Sequence, residues 1–180
     1  MRVFSIIGNC RAKAILVQQL IAQLQELDLT VSTIKRVSDD VDLDRPSKDT
    51  YQQRLAGAQE IVIANSFRSA ILEEYPQAQE EPDIEALLAR LKPADVVLLE
   101  GFGLCAYPKL EVVAAGQDRR PLYREDDSVI AIAGGAAFHQ PMGARHAGLR
   151  CFDLGEINSI ALFILAQAVA PGLSYRETAA

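Results

Sequence analysis

The amino-acid sequence predicts an α/β protein built on a mostly parallel, doubly wound sheet flanked by helices. Two observations predict this fold class. Short apolar runs alternate with segments of helical periodicity along most of the 180 residues. Four of the predicted strand ends are followed by glycine, lysine or carboxylate residues. In parallel sheets ligands bind at the carboxyl ends of strands, so these ends are the candidate functional region.

The first third of the chain contains three predicted strands and two predicted helices. The apolar run over residues 3–7 ends at Gly8 and predicts a buried strand. A helix follows, because Val17, Leu20, Leu24 and Leu27 recur at helical spacing. Residues 29–34 alternate with period two, which predicts the second strand. We expect a short helix over residues 51–58 and a third strand over residues 61–64.

The remainder of the chain continues the alternation. A helix is predicted where apolar residues recur at Ile84, Leu87, Leu88 and Leu91. Residues 96–99 are wholly apolar and end in Glu100, the pattern of a central parallel strand. Further strands are predicted over residues 110–114 and 129–133, and a last helix over residues 157–165. With no repeat or linker, we expect one domain over residues 1–170 and a flexible tail over residues 171–180.

Composition excludes several functional classes. A net charge of −6 and a pI near 5.0 argue against nucleic-acid binding, which usually needs a basic surface. The longest apolar stretch, residues 160–170, is shorter than the roughly 20 residues that a membrane-spanning helix needs. The cysteines at positions 10, 105 and 151 form no CxxC pair and predict neither a disulfide framework nor a zinc site. We therefore expect a cytoplasmic protein.

The segment after the first strand resembles a degenerate phosphate-binding loop. It reads GNCRAKA over residues 8–14, whereas the working pattern is GxxxxGK[ST]. Gly8 and Lys13 remain, one residue too close together, and Ala14 stands where the pattern has its Mg²⁺-binding hydroxyl. Lys13, Arg11 and the start of the helix could still attract an anion. The alternative is an ordinary strand-to-helix turn with a solvated lysine.

Two acidic features are candidate Mg²⁺ ligands. Asp42 and Asp44 alternate in a polar segment, where their carboxylates could hold Mg²⁺ directly or through water. The alternative is an acidic loop before a helix whose first turn contains Asp49. Glu100 closes an apolar strand, where a carboxylate could position Mg²⁺ and its water. Glu100 could equally cap a neighbouring helix.

Taken in order, these segments resemble the molybdopterin-guanine dinucleotide biosynthesis protein B (MobB) family, which are P-loop GTP-binding adapters of molybdenum-cofactor synthesis. The resemblance runs from Val3 to about Ala168 and is most specific over residues 40–72. It implies a P-loop NTPase-like fold. It also implies the following site residues: Gly8, Arg11, Lys13, Lys35, Lys48, Asp49 and Glu100 near nucleotide, and Asp42, Asp44 and Glu100 near Mg²⁺.

The chain departs from the family pattern at groups that face phosphate or metal. The family loop GxxGxGKT is GNCRAKA here, the histidines expected after the second strand are absent from residues 35–39, and Gly103 follows Phe102 where the family has lysine. The resemblance therefore implies an adapter for the molybdenum cofactor guanylyltransferase with weak or vestigial GTP binding and at most weak GTPase activity. It also implies a homodimer.

Two other functions fit the same residues. The first is a nucleotide-independent docking protein for a molybdoenzyme maturation partner, which the altered loop and Ala14 favour. The second is a small P-loop kinase, which the missing hydroxyl and the lack of an arginine-rich lid segment disfavour.

Overall fold

The computed structural model describes residues 1–8, 11–38, 41–75, 77, 83–113, 121–135 and 149–173. Contacts within the chain form two compact units, Met1–Arg36 with Ile84–Ala180 (unit 1) and Val37–Asp83 (unit 2). The sequence-based expectation of one domain over residues 1–170 stays a prediction. Most of the expected tail, residues 174–180, lies outside the described residues.

The elements follow the predicted alternation closely. In chain order they are β1 (Arg2–Ile7), α1 (Arg11–Glu26), β2 (Val31–Lys35), α2 (Asp49–Leu55), β3 (Glu60–Ala64), β4 (Ser69–Glu73), α3 (Ile84–Arg90), β5 (Val96–Glu100), β6 (Lys109–Val113), β7 (Val129–Gly134), β8 (Arg150–Asp153) and α4 (Ile157–Gln167), with a turn of 3-10 helix at Leu122–Arg124.

Unit 1 contains a six-stranded sheet in the order β2-β5-β1-β6-β7-β8. All five neighbouring pairs are parallel, which confirms the predicted fold class. The sequence patterns did not predict β8, because Phe152 is its only fully buried residue and it has no apolar run. Parallel pairing brings the carboxyl ends of β1, β2 and β5 to the same edge of the sheet, as expected.

Both faces of this sheet are covered by helices. On one face, alternate strand residues such as Phe4, Ile6 and Leu98 pack with Leu20 of α1 and Ile164 of α4. The intervening strand residues point the other way, and Val3, Val97 and Leu99 pack there with Leu88 of α3. This two-sided burial explains why β1 and β5 carry apolar residues on both faces of the sheet rather than at every second position only.

The segment after α4 returns to the first strand. Val3 and Val169 exchange backbone hydrogen bonds of 2.7 and 3.2 Å in an antiparallel bridge. The hydroxyl of Tyr107 accepts a 3.1 Å hydrogen bond from the Gly172 N–H and donates one to Glu85. These contacts fasten residues 169–172 to the sheet of unit 1.

Unit 2 contains α2 and an antiparallel hairpin of β3 and β4. The register runs from Glu60 opposite Glu73 to Ala64 opposite Ser69. In the turn, the side-chain oxygen of Asn65 accepts hydrogen bonds from the N–H groups of Phe67 at 2.8 Å and Arg68 at 3.0 Å. The sequence predicts β3 as a strand, but β4 was not predicted, and the pair forms a separate two-stranded sheet. Across the described parts of both units, the helices are too short or too polar to cross a bilayer.

Candidate functional site

Three of the predicted site residues meet at the carboxyl edge of the parallel sheet. Lys13 Nζ and Lys35 Nζ each lie 3.5 Å from the same oxygen of Glu100, Oε1. The Glu100 side chain is 9% exposed and that of Lys13 is 16% exposed, whereas Lys35 is about half exposed. We call these residues the lysine–glutamate triad. It contains two cations and one anion, so it carries a net positive charge.

The alternation of β5 explains where the triad lies. Val96 and Leu98 face α1 and join its apolar cluster. Glu100 is the next residue on that face, because strand side chains alternate with period two. Lys13 lies in the first turn of α1, the helix that follows β1 in the chain. Lys35 ends β2 and pairs in register with Glu100. The sequence pattern therefore brings all three side chains to one place.

Two glycines shape the backbone around the triad. Gly8 has φ of +129°, and a Cβ there would lie 2.4 Å from the Val112 carbonyl oxygen of β6. Gly101 has φ of +88°, and its Cβ would lie 3.3 Å from the Arg36 carbonyl oxygen and 3.6 Å from Lys13 Nζ. Both positions therefore favour glycine, and the second keeps backbone close to the Lys13 ammonium.

The remaining loop residues contribute less to the described geometry. Asn9 and Cys10 lie outside the described residues. Arg11 is the first residue of α1 and is exposed. Ala14 follows Lys13 within the helix and carries a methyl group where the working loop has a hydroxyl. The structure thus places Lys13 beside Glu100 in the first turn of α1, and position 14 offers no side-chain hydroxyl.

The first predicted aspartate, Asp42, lies in unit 2 and already has a cationic partner. Both of its carboxylate oxygens accept hydrogen bonds of 3.2 Å from Arg54, which also contacts Glu74 Oε1 at 3.2 Å. The guanidinium lies 5.0 Å from the ring centre of Tyr51. The Asp42 carboxylate also accepts a hydrogen bond from the Asp44 N–H. This bond and the Arg54 guanidinium lower the pKa of Asp42, although partial desolvation opposes the shift. Arg54 was not among the predicted site residues.

The other predicted residues of unit 2 lie around the start of α2. Asp44 Oδ1 accepts hydrogen bonds from the Arg45 N–H at 2.8 Å and from the Thr50 hydroxyl at 3.1 Å. Lys48 is the residue before α2, and Asp49 is its first residue, where the helix dipole favours a carboxylate. These contacts stabilise the loop and the helix start within unit 2.

The predicted Mg²⁺ ligands do not converge within either unit. Asp42 is paired with Arg54, and Glu100 is paired with two lysines. In the part of the chain that the structure describes, no three His, Cys, Asp or Glu side chains are close enough to hold a metal ion. The chemistry that the triad offers is anion binding through two ammonium groups.

Sequence reasoning missed two buried charged residues on β6. Lys109 Nζ donates to Asp126 Oδ2 at 2.9 Å and also to the Ser128 hydroxyl and the Cys105 carbonyl. Glu111 accepts 2.9 and 2.8 Å hydrogen bonds from the N–H groups of Leu122 and Tyr123. Burial raises the pKa of Glu111, although the two N–H groups oppose this shift. Both residues hold neighbouring loops against the sheet. The available signal in the sequence was two charged residues within the otherwise apolar strand KLEVV over residues 109–113.

Comparison with known proteins identifies related sequences. The model of the family described as "Molybdopterin guanine dinucleotide synthesis protein B" matches residues 3–135. A molybdopterin-guanine dinucleotide biosynthesis adapter protein of Escherichia coli (strain K12) is 29% identical over 156 residues, covering 85% of each chain. A protein of the same name from Haemophilus influenzae is 30% identical over 121 residues, covering 67% of each chain.

Solved structures share the fold. The Bacillus subtilis MobB crystal structure superimposes with a TM-score of 0.70 at 19% identity, covering 93% of this chain and 98% of that one. A MobB homologue from Bacillus stearothermophilus has a TM-score of 0.63 at 18% identity, covering 92% and 97%. At these identities the likeness supports the fold alone.

Proposed function

Because the chain belongs to the MobB family, it is an adapter protein of molybdopterin-guanine dinucleotide biosynthesis, and we propose that it performs this role with weak or vestigial GTP binding. The family match over residues 3–135 is the observation that supports the adapter function. The lysine–glutamate triad supports the nucleotide part. Lys13 and Lys35 present two ammonium groups at the strand ends where ligands of such sheets bind.

The altered loop supports weak binding. The loop lacks the glycine before Lys13 and the hydroxyl at position 14. Losing two charge-assisted hydrogen bonds, at about 1.5–3 kcal/mol each, would remove roughly 3–6 kcal/mol of binding energy. A micromolar nucleotide site would then weaken to about the high-micromolar or millimolar range and beyond. We propose at most weak GTPase activity and assign no catalytic residue.

A nucleotide-independent docking protein is the second candidate. Ala14 favours it, and so does the engagement of both lysines with Glu100. The partner in either case is the molybdenum cofactor guanylyltransferase or a molybdoenzyme maturation protein. The two candidates differ in whether guanine nucleotide changes the affinity for that partner.

Calorimetry and partner capture together separate these functions. Mg·GTP and Mg·ATP are titrated into the wild-type protein and into a variant whose loop is rebuilt to GxxGxGKT. Weak heat with GTP in the wild type supports the leading function, and the absence of any signal at millimolar GTP removes its nucleotide part. Capture of purified guanylyltransferase that is indifferent to GTP selects the docking protein. Failure to capture it in either condition contradicts the guanylyltransferase as the partner.

We also infer a homodimer in the cytoplasm. The hairpin of unit 2 supports a contact with a second copy, because the paired residues Val62 and Ile71 are 63% and 58% exposed and Phe67 at the turn is 91% exposed. A cytoplasmic location fits the wide spacing of the three cysteines. In analytical ultracentrifugation, Val62→Glu should dissociate the dimer while the control Leu104→Glu, which also changes an exposed apolar residue, leaves it intact. A wild-type monomer would contradict the dimer.

A further inference from the structure

The lysine–glutamate triad places two ammonium groups on one carboxylate oxygen. Lys13 and Lys35 approach Glu100 Oε1 from α1 and β2, both at 3.5 Å. Glu100 is nearly buried, and its backbone is fixed because its carbonyl accepts a 2.9 Å hydrogen bond from the Arg36 N–H. Glu100 therefore supplies to both lysines the anionic oxygen that a phosphate group would otherwise supply.

These residues do not fit Mg²⁺. Magnesium requires oxygen donors at about 2.0–2.1 Å in near-octahedral geometry. Glu100 Oε1 instead lies beside two cations, which would repel a third. The Ala14 side chain has no oxygen to offer. At this edge of unit 1, the side-chain oxygen that Mg²⁺ needs is thus missing at position 14 and already engaged at Glu100.

We propose that Glu100 is an internal counter-ion for Lys13 and Lys35, and that the site takes a phosphate or diphosphate group without Mg²⁺. A bound phosphate replaces Glu100 as the partner of the two ammonium groups. Binding is weak because the nearly buried carboxylate then loses both cations. This proposal rests on the weak nucleotide binding proposed above and concerns the regulation of that same site.

The proposal makes Glu100 an inhibitor of binding rather than a metal ligand. Glu100→Gln keeps the size of the side chain but removes its charge, so it releases both lysines. In EDTA, pyrophosphate and GTP should bind this variant about tenfold more tightly than the wild type, equivalent to about 1.4 kcal/mol. A carboxylate that served Mg²⁺ would give the opposite result, because its loss would weaken binding.

Calorimetry with pyrophosphate and with GTP, each in EDTA and in Mg²⁺, tests the proposal. Glu26→Gln is the matched control, because it removes the same charge from an exposed position in the last turn of α1. Lys35→Met provides a second test that does not depend on how well Glu100→Gln folds, since Lys35 is half exposed. It should lose most of the binding seen in EDTA.

Each outcome bears on the proposal. Tighter binding by Glu100→Gln, with wild-type affinity in Glu26→Gln and weaker binding by Lys35→Met, supports it. Weaker binding by Glu100→Gln, wild-type binding that needs Mg²⁺, or unchanged binding by Lys35→Met overturns it while leaving nucleotide binding in place. If neither ligand binds any variant, the counter-ion proposal and the nucleotide part of the function both fail, whereas the guanylyltransferase as the partner is judged separately by the capture experiment.

Discussion

Lys109 Nζ lies 2.9 Å from Asp126 Oδ2, and the lysine side chain is only 1% exposed. The pair joins the start of β6 to the loop that precedes β7. Ser128 and the Cys105 carbonyl accept the other hydrogen bonds of the ammonium group. A cation this deeply buried is stable only while its partners remain in place.

Removing Lys109 should therefore destabilise unit 1. Lys109→Met leaves the Asp126 carboxylate, which is 30% exposed, without the cation that compensates its partial desolvation, and is expected to cost about 2–4 kcal/mol. Urea denaturation followed by circular dichroism measures the effect. The exposed Lys92→Met is the control and should change the free energy of unfolding by less than about 0.5 kcal/mol. Equal stabilities of the two variants would contradict this account.

Glu111 should make stability depend on pH. Its folded-state pKa is raised above the ordinary 4.5, chiefly by burial. The folded state therefore binds this proton more tightly than the unfolded state, and its stabilisation is lost as pH rises from 4.5 through the folded-state pKa. Glu111→Gln has no proton to lose at this position, so its stability does not fall for this reason. The free energy of unfolding of the variant, relative to that of the wild type, should therefore increase over that pH window.

Denaturation of both proteins across a pH series measures the Glu111 effect. Glu26→Gln serves as the control, since it changes an exposed glutamate and should run parallel to the wild type. If the difference between Glu111→Gln and the wild type stays constant with pH, the raised pKa is refuted.

Tyr107 should hold the carboxyl-terminal segment against unit 1. Tyr107→Phe removes the acceptor of the Gly172 N–H and the donor to Glu85. We expect a loss of about 1–2 kcal/mol and faster deuterium exchange at the Gly172 amide. Tyr75→Phe, at an exposed tyrosine, should leave both measurements unchanged. Unaltered exchange at Gly172 would show that the hydroxyl does not anchor this segment.

Gly8 should not tolerate a side chain. Gly8→Ala places a Cβ 2.4 Å from the Val112 carbonyl oxygen at φ of +129°. We expect a loss of about 1–3 kcal/mol from strain alone, and more if β1 and β6 separate. Thermal unfolding compares it with Gly135→Ala, whose Cβ would meet no atom within 4 Å. A melting temperature equal to that of Gly135→Ala would contradict the tight approach.

The sequence predicts unit 1 better than unit 2. In β1 and β5 most consecutive residues are apolar, so the sequence itself predicts that both faces of these strands are buried. Strand β3 was predicted as a strand, but five residues do not specify the partner, and its pairing with the unpredicted β4 depends on a turn built around Asn65. Pairing partners are set by tertiary contacts that short patterns do not encode.

That Lys13, Lys35 and Glu100 lie near one another could be predicted from the sequence, but their ion pairing could not, and their role in nucleotide binding stays a prediction. The rule that parallel strands end at one edge brings Lys13, Lys35 and Glu100 to the same region. That rule does not predict that both lysines contact the same carboxylate oxygen, because this contact depends on side-chain packing between α1, β2 and β5. The burial of Lys109 was missed for a related reason, since its partner Asp126 is 17 residues away.

The bridge between Val3 and Val169 has a consequence for synthesis on the ribosome. The neighbouring hydrogen bond from Arg2 to the Leu165 carbonyl spans 163 positions of the chain. A nascent chain can pair β1 with β5 and β6, but the start of β1 keeps an open hydrogen-bonding edge until residue 169 has emerged. Unpaired strand edges promote aggregation of folding intermediates. Truncation before α4 should therefore leave an aggregation-prone nascent protein.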